Sequence, residues 1–411
     1  MSRYLLAGCA AVALTIGSSA AKAQAKFEVK MGGDAYMEFG LVGQDNDGGL
    51  RSTEMRNRFR LNIIPAAKAD NGLEYGGRIR IRSNSASRNM DADRAYIFAQ
   101  GTFGQVRAGV SNTFQDETMA GAGISRPIDY LPFSIFDQGL NYVGSLGANQ
   151  STINGVYAGA DVGGGAAAAV GNSPTLVWPT FGDVATRVVY FSPRLAGVQF
   201  GASYTPRSDS NNTDSNRLKT TTVTAAGNQY APGYQDLVEV GVNVVQEFNG
   251  VSVKALAAYQ TAEATKTSFA SDSFKRLSAW TASARVGYAG FSVGGSYTDW
   301  GKSLQNGRTA SGAAAQRESF KIVHVGAQYT TGPLIVGAGW MHGQDPGSNS
   351  IAGKRKVDAY EVGVSYTVAP GLAVQAQYDH VKANSDKAVL ASGSNPDDKA
   401  NVVILRTTLA F

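Results

Sequence analysis

Along this chain, runs in which residue character alternates with period two are joined by links that alternate as well, short then long. Residues 401–411, "NVVILRTTLAF", show the pattern at its clearest. Val403, Leu405, Thr407, Leu409 and Phe411 share one face, and Val402, Ile404, Arg406, Thr408 and Ala410 share the other. Period two marks a β-strand with different surroundings on its two faces. Near the start, Phe27, Val29, Met31, Gly33, Ala35, Met37, Phe39 and Leu41 oppose Glu28, Lys30, Gly32, Asp34, Tyr36 and Glu38. The short links are 65–72, 100–104, 192–197, 248–250, 288–290, 330–333 and 369–371, and their Gly, Pro and Asn residues suit hairpin turns. Seven hairpins make fourteen strands, and the flanking runs at 27–42 and 399–411 make sixteen. The long links are 43–53, 84–91, 112–183, 205–235, 261–275, 301–315, 343–353 and 383–398, all at the opposite strand ends.

Strands of this length, with short turns at one end and long loops at the other, describe an all-β, 16-stranded antiparallel transmembrane β-barrel. In a bilayer every backbone polar group must be paired within the protein, and a sheet achieves this only by closing on itself. A soluble sandwich or repeat adhesin is the rival. It would carry a heavily charged outer face, whereas the polar faces here are rich in Gly, Ser, Thr and Gln with isolated charges, as a watered lumen requires. Aromatic residues fall at two levels: Trp280, Trp300 and Trp340 towards the long loops, and Tyr288, Phe291, Tyr329 and Tyr366 near the short turns. Amphipathic rings collect at the two membrane–water boundaries.

The N-terminus reads separately. Tyr4 to Ile16 is apolar, follows Arg3, and precedes Ala-x-Ala sites at Ala21/Ala23 and Ala23/Ala25. It is too short to span a bilayer and has the plan of a cleaved export signal, taken as residues 1–23, with the barrel at 24–411. The stretch Leu6–Cys9 also matches a lipoprotein box, but only five residues would then separate Arg3 from Cys9. Cys9 is the sole cysteine, so the mature chain has none, which excludes a disulfide scaffold, a thiolate zinc site and a cysteine nucleophile. The formal charge of +5 falls to +3 once Arg3 and Lys22 leave, and there is no basic tail for nucleic acid.

Positive charge concentrates in the early strands. "MRNRFRLN" sets Arg56, Arg58, Arg60 and Asn62 opposite Met55, Phe59, Leu61 and Ile63, and "RIRIR" sets Arg78, Arg80 and Arg82 opposite Ile79 and Ile81. Arg94 continues the patch on the next strand, with Arg107 a candidate to extend it. Arginine on the lipid face costs about 2–4 kcal/mol at the midplane, so these side chains turn inward. Glu74 and loop carboxylates are the expected neutralising partners. Charged side chains in a narrow lumen also act on passing ions.

Residues 112–183 form a link far longer than a hairpin loop, and loops of this size usually carry function. They include "SRPIDYLPFSIFDQGLNY", apolar enough to pack, and a Gly/Ala tract at 155–171. "DNDGG" at 45–49 lacks the distal ligands of a calcium loop. His324, His342 and His380 sit on different hairpins, with His324 placed towards the lumen, so neither a catalytic nor a metal-binding grouping emerges.

The strand plan, the export signal, terminal Phe411, "GTFGQVRAGV" (101–110) and "SPRLAGVQFGASY" (192–204) resemble the general diffusion porins of Gram-negative bacteria, most closely the alphaproteobacterial type. The resemblance implies that the loop after strand five, 112–183, folds into the barrel as a constriction. Its acidic side would be drawn from Asp116, Glu117, Asp129 and Asp137. The opposing basic side would be drawn from Arg56, Arg58, Arg60, Arg78, Arg80, Arg82 and Arg94. It implies that Phe411 is read as an assembly signal by the barrel-assembly machinery, and that the chain is a homotrimer.

The expected function is passive diffusion of ions and small hydrophilic solutes through a water-filled outer-membrane channel, with no catalysis and no cofactor. Expected partners are outer-membrane lipid, including lipopolysaccharide, further copies of the chain, the assembly machinery and the solutes. A substrate-selective anion or phosphate channel, and a structural or surface-binding barrel working through its external loops, are the competing readings.

Overall fold

Asn249 and Gly250 both have positive φ (48° and 79°), as do Ala289 and Gly290 (50° and 85°). Two consecutive left-handed residues make the type I′ turn, whose twist matches that of paired strands. These are two of the tight links that fold the chain back on itself. In the computed structural model the described residues are 26–45, 51–83, 90–122, 142–143, 185–208, 217–223, 226–227, 230–309, 311–345, 352–385 and 397–411. The proposed export signal, Asp129, Asp137 and the Gly/Ala tract lie outside them.

Sixteen strands close a barrel: β1 (Glu28–Gln44), β2 (Thr53–Lys68), β3 (Glu74–Ser83), β4 (Met90–Gly101), β5 (Gly104–Val110), β6 (Thr186–Phe191), β7 (Val198–Arg207), β8 (Tyr234–Phe248), β9 (Val251–Ala264), β10 (Leu277–Tyr288), β11 (Phe291–Gly301), β12 (Phe320–Thr331), β13 (Leu334–Asp345), β14 (Arg355–Ala369), β15 (Leu372–Ser385) and β16 (Asp397–Ala410). Each pairs antiparallel with its sequence neighbours, and β16 returns to β1 in register Ala410↔Asp34 to Ala400↔Gln44. Six of the seven short links fall within the stretches the alternation marked; the first, expected at 65–72, lies at 69–73 because β2 continues to Lys68. Phe411 completes the closure: its N–H donates to the Gly33 carbonyl (3.1 Å), and its carbonyl accepts from the Gly33 N–H (2.7 Å). The ring lies outward against Phe59, centroids 5.6 Å apart, over a Gly33 that a Cβ would crowd.

On β16, residues 403, 405, 407, 409 and 411 are exposed outward while Val402, Ile404 and Arg406 are buried inward. Tyr288, Phe291, Tyr329 and Tyr366 stand near the short turns, with the Phe291 and Tyr329 rings 4.3 Å apart and tilted by 35°. Trp280 is outward at the opposite level, in contact with Tyr297.

Two expectations are corrected. Trp300 is not an outward girdle residue: strict alternation from outward Phe291 carries it to the inner face, where it is 1% exposed and packs edge-on to Phe320 at 4.6 Å. The lumen is also not uniformly polar. Towards the long loops the inner faces of β12–β16 present Ile322, Met341, Val357, Ala359, Val381, Ala383, Ala400, Val402 and Ile404, all buried. Tyr142, Val143, Tyr230, Tyr234 and Trp300 join them in one apolar cluster inside the barrel. Burial of this kind stabilises by about 25 cal/mol per Å² of apolar surface removed from water. Half of the loop-side interior is therefore built like a protein core.

Candidate functional site

The opposite half is built from charge. Register sets Arg60, Arg58 and Arg56 of β2 beside Asp34, Tyr36 and Glu38 of β1. Asp34 accepts from Arg58 Nη2 (2.6 Å) and Arg60 Nε (2.8 Å). Glu38, buried, accepts from Arg406 Nε (2.8 Å), from Arg56 (3.5 Å) and from the Tyr142 hydroxyl (3.1 Å), with Arg406 Nη2 at ion-pair distance (2.8 Å). The Tyr36 ring lies between Arg58 and Arg406, at 5.1 and 5.5 Å, where its π face attracts both cations.

A register shift after Arg80, where Ile81 pairs with Ala92, leaves Asp93 as an extra residue and buries both Asp93 and Arg94. Arg80 grips Asp93 with two parallel bonds (2.6 and 2.5 Å), the fork geometry that gives guanidinium–carboxylate pairs their specificity. Arg82 reaches Asp91 (2.8 Å) and Asp93 (3.1 Å). Arg78 differs. Its Nε and Nη2 both donate to Asn62 Oδ1 (2.9 and 2.7 Å) and Nη1 approaches the Tyr96 hydroxyl (3.5 Å), but among the described residues no carboxylate lies within ion-pair distance.

After β5 the chain turns inward into helix α1 (Phe114–Ala122). Thr113 caps it, its Oγ1 accepting from the Asp116 N–H at 3.1 Å. A wall residue supplies a second cap: Glu239 of β8 accepts from the Gln115 N–H (2.8 Å) and from the Gln260 side chain. Orphan N–H groups at a helix start are satisfied by such acceptors, and a carboxylate there also complements the helix dipole. Gln115 Nε2 reaches Thr281 (2.9 Å), and Arg187 holds the Ser111 carbonyl (2.8 Å). Phe114 is fully buried among Val189, Phe191, Leu256 and Ala258. Gly201 and Gly241 leave room for its ring, which any Cβ at either position would strike.

The helix carries acid in its first turn. Asp116 lies 3.9 Å from Arg94, and Glu117 lies 3.1 Å from Arg107 and 2.9 Å from Asn112. Burial pushes the Glu117 carboxyl up, but Arg107, Arg78 and the Asn112 bond outweigh it and hold it below the usual carboxylate range. A depressed carboxyl stabilises the folded arrangement at neutral pH and loses that contribution only as pH falls through its folded value. Docking of α1 is thus insensitive to mild acid at this pair.

All seven arginines named from the sequence stand together on the inner wall, and Asp116 and Glu117 meet its edge; Asp129 and Asp137 are outside the described residues. Glu74, an expected counter-charge, pairs with no arginine of the patch among the described residues and stands across from Lys68. The wall carboxylates Asp34, Glu38, Asp91 and Asp93 do that work instead. Asp34 and Glu38 carried a signal: their spacing on the inward face of β1 falls opposite Arg60 and Arg56 once the hairpin register is drawn. Glu239, Arg406 and Tyr142 come from distant sequence and gave none.

Comparison with known proteins agrees with this architecture. The porin from Comamonas acidovorans, described as anion-selective, superposes with a TM-score of 0.59 at 14% identity, over 94% of this chain and 100% of that one. OmpT of Vibrio cholerae in its trimer form gives 0.53 at 12% identity over 94% and 99%. A mutant of the Rh. blastica porin gives 0.53 at 16% over 93% and 100%. At these identities the likeness is one of fold. Uncharacterized proteins of Rickettsia bellii and Rickettsia prowazekii are 25% and 23% identical over 272 residues, 56% of this chain. The match spans only 57% and 58% of those relatives' lengths. The sequence profile of the Gram-negative porin family matches residues 9–386, and with a closed 16-stranded barrel beneath that match, the chain belongs to the Gram-negative porins of the outer membrane.

Proposed function

We propose that the protein is a general diffusion porin, a water-filled channel through which ions and small hydrophilic solutes pass without chemistry. The observation that carries this reading is the barrel's divided interior. A hydrated, charged wall on β1–β5 faces one capped helix, while the apolar loop-side half is closed to water. Barrels of about sixteen strands leave an aqueous channel, and here that channel is confined to the arginine side. Planar-bilayer recordings should show ohmic conductance that rises with salt without saturating. Entry of neutral sugars into liposomes should fall smoothly with size. Absence of conductance would reject the channel and favour a barrel acting through its external loops.

Arg56, Arg58, Arg60, Arg78, Arg80, Arg82 and Arg94 set the basic side of the constriction, with Asp116 and Glu117, and by position Asp129 and Asp137, opposing them. Most of the described guanidiniums already have a carboxylate, so the wall is close to neutral and ion preference is weak. Arg78 tips it towards anions, and the same residue supports the competing reading of a selective phosphate or anion channel. Saturation of current by phosphate would favour that alternative. Replacing Arg58, Arg60 and Arg80 together by glutamine should shift the reversal potential towards cations in dilute potassium chloride. The shift should fade as salt shortens the Debye length from about 10 Å at 0.1 M. A wild-type channel that already prefers cations would reject the anion assignment.

Self-association rests on the outward faces of the early strands, where Gly33, Ala35, Ala95, Ala99 and Ala108 offer small side chains for the close packing available in lipid. A homotrimer is expected, seen as a band near three times the monomer mass on unheated gels. A monomer under every mild condition would exclude it. Residues 1–23 act as the export signal, and N-terminal sequencing of the mature protein should begin at Gln24.

A further inference from the structure

A recess of about 570 Å³ lies inside the barrel at its short-turn end, against α1. Glu117 and Thr118 of the helix line it on one side, and the short turns carrying Gly72, Gly101 and Arg194 line it on the other. One rung of the sheet runs along its wall through four strands. Lys68 of β2 lies across from Glu74 of β3, Glu74 from Gln100 of β4, and Gln100 from Gln105 of β5.

This rung differs from the wall nearer the long loops, where Asp34, Glu38, Asp91 and Asp93 are each gripped by arginine. Among the described residues, Lys68 and Glu74 stand side by side with neither an ion pair nor a side-chain hydrogen bond. Gln105 accepts from Arg107 Nε (2.7 Å) and donates to Gln100 Oε1, so the Gln100 amide keeps its own N–H groups undonated. One ammonium, one carboxylate and one amide NH₂ therefore face the recess from consecutive positions. Asn243 of β8 adds a buried acceptor to the same lining: its Nδ2 is spent on Thr118 (3.2 Å) and Gln199 (3.3 Å), while its Oδ1 has no donor.

We propose that this recess is a subsite for a neutral polyhydroxy solute, a mono- or disaccharide, on the short-turn side of the constriction; the inference rests on the diffusion-channel reading. A hydroxyl both donates and accepts, so neighbouring hydroxyls on a sugar ring match a rung that offers donor, acceptor and donor in sequence. Glu74 accepts from one hydroxyl, and Lys68 and Gln100 donate to those beside it. Phe191 and Pro193 supply apolar lining for the C–H face of the ring. The charges argue against an anion. Lys68 is balanced by Glu74 and Arg107 by Glu117, and the Arg194 guanidinium is spent on the Gly197 carbonyl (2.6 Å) and on Gln199 (3.1 Å). The volume falls within the roughly 300–1,000 Å³ of small-molecule sites. Passage through a channel requires that such binding be loose enough to release the solute.

The test uses the full-length folded protein in detergent, titrated with sucrose and read by saturation-transfer NMR. Saturable binding in the millimolar range is expected. Glu74→Ala and Gln100→Ala should each weaken it at least about fivefold, as loss of a hydrogen bond to the sugar would give. Lys382→Gln, an exposed position at the long-loop end of β15, should bind as wild type does. In planar bilayers, sucrose should lower the ion current of the wild type more than that of Glu74→Ala. A protein that conducts ions but binds no sucrose saturably would overturn the subsite and leave the channel standing. Saturable binding without conductance would keep the subsite and remove the channel. Unchanged binding in both alanine variants, a matching loss in Lys382→Gln, or full displacement of sucrose by equimolar inorganic phosphate would also overturn the assignment.

Discussion

Phe114→Ala should enlarge the channel, with single-channel conductance rising at least about twofold and larger sugars gaining entry. Phe114 anchors α1 to the wall through a fully buried ring, and truncating a buried phenylalanine costs about 3–5 kcal/mol. That loss falls on one helix and not on the barrel, whose strands are held by their own ladder. Gly201→Val should act alike from the other side, since its side chain would occupy the space of the Phe114 ring. The caps from Thr113 and Glu239 would remain, so α1 should loosen rather than unfold. Heat-modifiable migration on gels checks that each variant is folded. If both variants fold and both keep wild-type conductance and size cutoff, α1 does not narrow the channel.

Deleting Phe411 should lower outer-membrane levels at least about tenfold while leaving the folded barrel only slightly less stable. The ring is 53% exposed, so its burial contributes less than the ~1.5–3 kcal/mol of a fully buried aromatic. Two backbone bonds to Gly33 would go with it. Neither loss is large beside a sixteen-strand ladder. Refolding into detergent in vitro should therefore proceed almost normally, and Phe411→Trp should restore assembly in cells. Normal outer-membrane levels of the deletion would remove any role as an assembly signal.

What could be read from sequence follows from which forces act locally. Turn chemistry and alternation are local, so the hairpins, the faces of β1, β2, β3 and β16, and the inward arginines were all legible. Trp300 was misplaced because its size suggested a girdle, although the odd separation from Phe291 requires the inner face. The shift at Asp93 was hidden, since an extra residue in a strand leaves no compositional trace. The apolar interior escaped for a different reason. Alternation already set Val402 opposite the face of Phe411, but an apolar side chain on the inner face carries no mark of whether water or protein lies in front of it, and that depends on Tyr142 and Val143 from elsewhere in the chain. Glu239 illustrates the same limit: its role as a helix cap depends on a contact more than a hundred residues away in sequence.

The divided interior also bears on how such a protein can change over generations. In the proposed channel the residues that would set the electric field lie on β1–β5, while the strand residues of the loop-side core lie on β8–β16, with Arg406 and Glu38 joining the two where β16 closes on β1. On that proposal, substitutions on the arginine wall would alter what passes while leaving the core intact, provided each carboxylate keeps a partner. Substitutions in the core, Tyr142 with its bond to Glu38 excepted, would alter robustness while leaving the filter alone. A lineage can thus retune its permeability, in response to a new antibiotic or nutrient, without having to re-solve the folding problem each time.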